Sequence, residues 1–426
     1  MPRLIDSFGA LQRRDLLVSF MQDVVVPQRA RLIAYAAHTR QSAQVDSDGY
    51  LGQIIAAIVL GVPGNNRRGK SGSHPGDLAD GTEVKSTSRA EQMNGMEDSH
   101  INFGQIVPAK LRELSMHGRV AIVHSSYDAL GRFKIEVLTL DVAAPAFIAG
   151  VEAFLGRSRA KRPQLQPRLY PDGVRDRLQM LPGHFEGLGA RLVARAVVNR
   201  DGGVVVDKWS PGVGLDLTEC LDLAPRVNVD HAHYDIANPG DADEFFHKCM
   251  IQYRKSLIPY CALTAHGQNV GFGNLAQHLV SVVTGIPGSG SGARGPDLQG
   301  NGEIKLAMGE RGDPLGTEDF PRLNLQSNVD KLLSWQRLFP VRIVCDDVGL
   351  AVQVMEFDID EFRAQVSDYF GDNSLYASSQ NMQYHAPKTF GDTVFTGKRG
   401  DGGQRTLAAS ILYAARETTA GDCVRC

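Results

Sequence analysis

The sequence predicts an α/β chain in which a mixed sheet flanked by helices is built twice in tandem. Three observations carry this. Five stretches of the first half return in the second half in the same order. Each half runs from an apolar helix to a strand bearing a polar cluster, then to a second helix and an alternating hairpin. The 426 residues are 42% hydrophobic and 22% charged, enough for more than one core.

The repeat is read directly. LIAYAAHT from Leu32 answers LIPYCALT from Leu257, an offset of 225. LGQIIAAIVLGVPG from Leu51 answers LAQHLVSVVTGIPG from Leu275, an offset of 224. GDLADGTEVK from Gly76 answers PDLQGNGEIK from Pro296, an offset of 220, and KLRELSMHGRVAIV from Lys110 answers KLLSWQRLFPVRIV from Lys331, an offset of 221. MEDSHINF at Met96 answers TEDFPRLNL at Thr317. The drift falls where glycine and polar residues mark loops, so a tandem duplication is expected. The domains are placed at 1–195 and 240–426, with 196–239 as a structured connection that has apolar positions and no Gly/Ser tract.

Leu51–Leu60 and Leu275–Thr284 are apolar with one polar face, and G-(V/I)-P-G stops each as a helix. Asp77 and Asp297 sit on a short strand or turn; Thr82–Ser86 and Gly302–Leu306 are strands. Ala109–His117 and Val329–Leu338 are expected to be helical. RVAIVHS and RFKIEVLTL, then VRIVC and AVQVMEF, alternate with the strand period of two. Long polar loops are expected at Ser86–His100 and Ala307–Asp319.

The composition excludes several classes. No apolar run is long enough to span a membrane, and the N-terminal residues lack a signal-peptide core. Six sparse cysteines fit a reducing compartment, so a cytoplasmic protein with no membrane partner is expected. A net charge of −3 argues against unspecific coating of nucleic acid but leaves room for a local basic surface.

The chemistry is concentrated at Asp77, Glu83 and Lys85, and again at Asp297, Glu303 and Lys305. In E-V-K and E-I-K the Glu and Lys lie two apart on a strand and share a face. The Asp, six residues before the Glu across a Gly-containing turn, can be brought beside it. Converging carboxylates repel unless something neutralises them, and a hard divalent ion such as Mg2+ does so while keeping waters and phosphate oxygens as further ligands. Two acids for a metal, with an ammonium beside them, are the parts needed to hydrolyse a phosphodiester. A lone D-x5-E-x-K would read as an exposed strand with an ion pair. Its survival at identical spacing in two diverged copies favours a functional cluster.

These residues resemble the motif of the PD-(D/E)xK nuclease superfamily, which includes most type II restriction endonucleases; DLADGTEVKST behind a Gly-rich polar approach is most similar to the MutH-like branch. The resemblance covers about forty residues per copy. It implies two tandem restriction-endonuclease-like domains and double-stranded DNA as substrate. Asp77, Glu83, Asp297 and Glu303 would be metal ligands, with Lys85 and Lys305 as catalytic lysines. Gln53 and Gln277 occupy the place of an accessory acidic or amide residue, where MutH-like enzymes usually carry glutamate; the simpler reading is a plain helix-face glutamine. Basic loops ahead of each Asp offer Arg67, Arg68, Lys70, Ser71 and Ser73 in one copy and Ser289, Ser291 and Arg294 in the other; Arg89 and Arg311 follow the strands. These are candidates for phosphate or base contact, against the reading of ordinary solvated loops. The basic stretch Arg157–Arg162, with Arg168, Arg175 and Arg177, could track a DNA backbone or form a solvated face.

Other motifs are weaker. His231 and His233 lack partners at zinc spacing, Cys423 and Cys426 form a lone CxxC taken as incidental at a frayed terminus, and the glycines of GSGSGARG lack a P-loop ending. The expectation is therefore a sequence-specific endonuclease cutting both strands from one chain, acting as a pseudo-two-fold monomer or a homodimer. Its alternatives are one cutting and one regulatory domain, a MutH-like nicking nuclease, and a non-catalytic duplicated DNA-binding protein.

Overall fold

The computed structural model describes residues 5–39, 41, 50–65, 76–89, 91–92, 95–96, 118–127, 133–157, 190–198, 203–210, 236–265, 273–289, 296–310, 317–322, 326–345, 349–373, 381–387, 390–398, 404–417 and 423–425. Packing divides the chain into two units. Unit 1 comprises Met1–Gln28, Gln44–Tyr234 and Lys255–Gly271; unit 2 comprises Arg29–Ala43, Asp235–Arg254 and Phe272–Cys426.

Helix α1 (Ala10–Phe20) passes through a π turn at Met21–Val25 into α2 (Val26–Thr39). The Val26 N–H reaches back five residues to Met21 O, and Pro27, which has no N–H to give, follows at once. Helix α3 (Tyr50–Leu60) is apolar nearly all round and largely buried. It ends at Gly61, whose φ of +70° suits glycine, and Arg13 Nη1 donates to Val59 O at 2.8 Å across that end. The sheet of unit 1 has strands β1 (Glu83–Arg89), β2 (Arg119–Tyr127), β3 (Phe133–Asp141), β4 (Arg191–Val198) and β5 (Val204–Trp209), in that spatial order. β1 and β2 are parallel and the other pairs antiparallel. Helix α4 (Pro145–Arg157) follows β3. β4 and β5 bring the first part of the expected 196–239 connection into this sheet.

Unit 2 repeats the order. Helix α5 (Ala242–Phe245), a π turn at Phe246–Ile251 and α6 (Gln252–Thr264) correspond to the opening of the chain; α7 (Gly273–Thr284) corresponds to α3. The sheet of unit 2 orders β6 (Gly302–Glu310), β8 (Arg337–Cys345), β9 (Leu350–Phe357), β12 (Gln404–Glu417), β11 (Val394–Lys398), β10 (Asn381–His385) and β7 (Thr317–Arg322), with β13 (Cys423–Arg425) beside β12. β6 and β8 are parallel, as β1 and β2 are. Helices α8 (Gln326–Ser334) and α9 (Ile359–Asn373) pack Val329, Leu332, Phe362 and Val366 with Trp335 and the aromatic rings of Phe357, Tyr384 and Phe395.

The units exchange helices. Thr39 and Tyr35, from the first half of the sequence, pack in unit 2, where Tyr35 meets Phe245 edge-on at 4.7 Å between centroids. Thr264 and Tyr260, from the second half, pack in unit 1, where Tyr260 meets Phe20 edge-on at 4.9 Å.

Three expectations of local structure are corrected. The helix expected at Val329–Leu338 runs from Gln326 to Ser334, because pairing of Arg337 with Gly302 and Leu338 with Glu303 draws the apolar run after Trp335 into β8. The expected polar loops begin as strand: β1 continues to Arg89, β6 to Glu310, and β7 starts at Thr317. The C-terminal Cys423–Arg425 pairs with β12. The helix expected at Ala109–His117, and His231 and His233, lie outside the described residues. No helix among the described residues is long and apolar enough to cross a membrane.

Candidate functional site

In each unit, the G-(V/I)-P-G stop after the apolar helix runs back beside the aspartate segment. Gly64 bridges to Leu78 in unit 1 and Gly288 to Leu298 in unit 2. Asn65 N donates to Asp77 O at 2.8 Å, and Ser289 N to Asp297 O at 3.1 Å. The turn then closes through Leu78 N to Thr82 O, and Leu298 N to Gly302 O, delivering the chain into β1 and β6. Gly76 lies in this turn at a φ of +96°, where a Cβ would stand 2.3 Å from Gly81 O; a larger residue cannot fit.

This frame sets each aspartate against the strand that carries the glutamate and the lysine. In unit 1, Asp77 Oδ2 accepts from Val84 N at 2.8 Å and Oδ1 accepts from Gln53 Nε2 at 3.0 Å; Lys85 Nζ lies 2.5 Å from Glu83 Oε1. In unit 2, Asp297 Oδ2 accepts from Ile304 N at 3.0 Å and Oδ1 from Gln277 Nε2 at 2.8 Å; Lys305 Nζ lies 2.7 Å from Glu303 Oε1. These three contacts agree between the two pockets. The glutamines are not plain helix-face residues: each orients the aspartate carboxylate from α3 or α7.

Unit 2 has the more closed pocket, with the Glu303 side chain 7% exposed against 23% for Glu83. Glu303 Oε2 is buried and has no hydrogen-bond partner. Burial, then the neighbouring Glu303, pushes the Asp297 carboxyl up to about 6, opposed by the Ile304 N–H, Lys305 and Lys331. A buried carboxylate oxygen without a donor and a second acid under charge strain are what a bound cation would relieve, so the donor set fits a hard divalent ion. Among the described residues no three or more His, Cys, Asp or Glu side chains gather to hold a metal.

Two neighbours of the second pocket carry no signal in the motif. The Trp335 ring lies 5.3 Å from Lys305 Nζ, a cation–π contact that adds a second partner for the ammonium beside Glu303. Gln41 Nε2 donates to Asp297 O at 3.3 Å and to Ser281 Oγ at 3.1 Å. Ser289, expected as a phosphate contact, donates its hydroxyl to Pro296 O and so braces its own loop. Arg67, Arg68, Lys70, Ser71, Ser73, Ser291, Arg294 and Arg311 lie outside the described residues, as does all of the basic stretch after Arg157. Arg89 is described only as the last backbone position of β1.

A model of the MamI restriction endonuclease family matches residues 34–139 and 259–317. Both acidic pockets fall inside the match. The type II restriction enzyme MamI of Microbacterium ammoniaphilum is 43% identical over 103 residues, which is 24% of this chain and 32% of that enzyme. The chain thus matches about a third of that relative's length. No solved structure matches it.

Proposed function

We propose that this chain is a Mg2+-dependent, sequence-specific type II endonuclease, a tandem duplication in which each pocket hydrolyses one strand of double-stranded DNA. The observation that carries it is the twofold recurrence of the same carboxylate, amide and ammonium geometry inside segments similar to a restriction endonuclease family. Two antiparallel strands present two scissile phosphates, and a chain with two sites can meet them without a homodimer.

Asp77 and Glu83, and Asp297 and Glu303, would hold Mg2+, which supplies a Lewis acid for the phosphoryl oxygen and lowers the pKa of a bound water. Asp297 keeps a lone pair free on each oxygen after accepting from Gln277 and Ile304, so the amides set its plane without filling it. Lys305 spends one N–H on Glu303 and has two left, one to orient an attacking water and one to meet charge developing on the phosphoryl oxygens. Glu303 and Trp335 hold that ammonium in place. Lys85 has the same relation to Glu83 in the first pocket.

The test is incubation of the full chain with supercoiled plasmid. Mg2+ is expected to give discrete fragments and EDTA to abolish them. A smear would remove sequence specificity, and fragments that persist in excess EDTA would remove the metal-dependent reading.

A further inference from the structure

Each pocket hangs on a helix end that belongs to the other half of the sequence. The carbonyl of Thr264, at the end of α6, accepts from Gly64 N at 2.6 Å in unit 1. The carbonyl of Thr39, at the end of α2, accepts from Gly288 N at 2.6 Å in unit 2. Gly64 and Gly288 each precede the residue whose N–H holds the aspartate carbonyl, so the helix end fixes the segment against which the aspartate turn is built.

In unit 2 the support goes further. The Thr39 hydroxyl donates to Tyr35 O at 3.0 Å, leaving its oxygen to accept from His278 Nδ1 at 2.9 Å. His278 is fully buried and adjacent in α7 to Gln277, the residue that orients Asp297. Two residues beyond Thr39, Gln41 bonds both Ser281, one turn after Gln277 on α7, and the backbone of Asp297 itself. A single amide group thus ties the orienting helix to the aspartate turn.

We propose that Gln41 is a positioning residue for the Asp297–Glu303 pocket, supplied by the half of the sequence that carries the other motif. This rests on reading that pocket as a metal site. Partners that orient metal-binding carboxylates typically alter metal affinity ten- to a hundredfold when removed. A substitution at position 41 therefore weakens the pocket built around residue 297, and leaves the nearer motif at Asp77 intact.

The test uses the full chain in an Asp77→Asn background, with Tb3+ as the probe and luminescence sensitised by tryptophan as the readout. Trp335, against Lys305, is placed to sensitise an ion in the second pocket. Gln41→Met is expected to raise the apparent Kd for Tb3+ about tenfold or more, with little change in the thermal unfolding midpoint. Gln41→Ala, should the longer side chain pack badly, is expected to do the same. Thr39→Val should weaken binding and Thr39→Ser, which keeps the hydroxyl, should restore it. A Kd unchanged in both Gln41 variants, while Asp297→Asn loses binding, overturns the positioning role. Tb3+ binding that survives Asp297→Asn instead overturns the metal reading itself, and the proposal with it.

Discussion

Asp297→Ala is expected to convert linearisation of a plasmid into nicking of one strand, and Asp77→Ala into nicking of the other. Each aspartate sits with both oxygens held, one by a backbone N–H and one by a glutamine, so its removal takes away a pre-set ligand and leaves Gln53 or Gln277 without an acceptor. Metal activation contributes several kcal/mol to such a transition state, which at about 1.4 kcal/mol per decade is roughly a thousandfold in rate for the affected strand. The other strand should be cut at its normal rate. The measurement is end-labelled cleavage of each strand of a duplex with one site. If one variant loses both cuts while the other keeps both, the chain has one cutting and one regulatory unit. The unit whose aspartate is dispensable would then be the regulatory one.

The second large effect is on stability without metal. Asp297 holds its proton more tightly in the folded chain, at about 6, than in the unfolded chain, at 3.8, because burial and then Glu303 disfavour the carboxylate. Between these values the native state binds more protons than the unfolded state, so stability falls as pH rises through this window. The loss is complete above about pH 6 and amounts to roughly 2–3 kcal/mol at 1.36 kcal/mol per pH unit. Asp297→Asn removes it. Gln277 can turn its amide to accept from the new NH2 group, so the metal-free variant is expected to be more stable than the parent at pH 7 and no more stable at pH 4. Mg2+ should stabilise the parent at pH 7 by binding the native state, and the variant less. Urea unfolding of unit 2, followed through Trp335 with and without Mg2+, measures this; a parent whose stability does not fall between pH 4 and 7 would contradict it.

The pockets were legible in the sequence because their geometry is local. Two residues apart on a strand puts Glu83 with Lys85 and Glu303 with Lys305, and a glycine turn returns the aspartate six residues upstream. The hairpins that follow were equally readable from the period of two, whereas the parallel pairing of β1 with β2 and of β6 with β8 was not. What escaped depends on tertiary choices. The run Leu332–Phe339 suits helix or strand, and pairing with β6 decided it. Gln53 and Gln277 looked like ordinary helix positions, since nothing in a helix period says that one polar face meets an aspartate. Gln41 and Thr39 gave no signal at all. Their partners Ser281, His278 and Asp297 lie some 240 residues away or more, and the exchange of helices leaves no trace in hydrophobic patterning.

The most direct measurement is anomalous scattering from crystals of the full chain grown with Mn2+ in place of Mg2+. Two peaks are expected, one at coordinating distance (about 2.1 Å) from carboxylate oxygens of Asp77 and Glu83 and one likewise beside Asp297 and Glu303. A map with no ion in either pocket at saturating Mn2+, or with the carboxylates of a trio turned apart, would contradict the account of two metal-dependent sites in one chain.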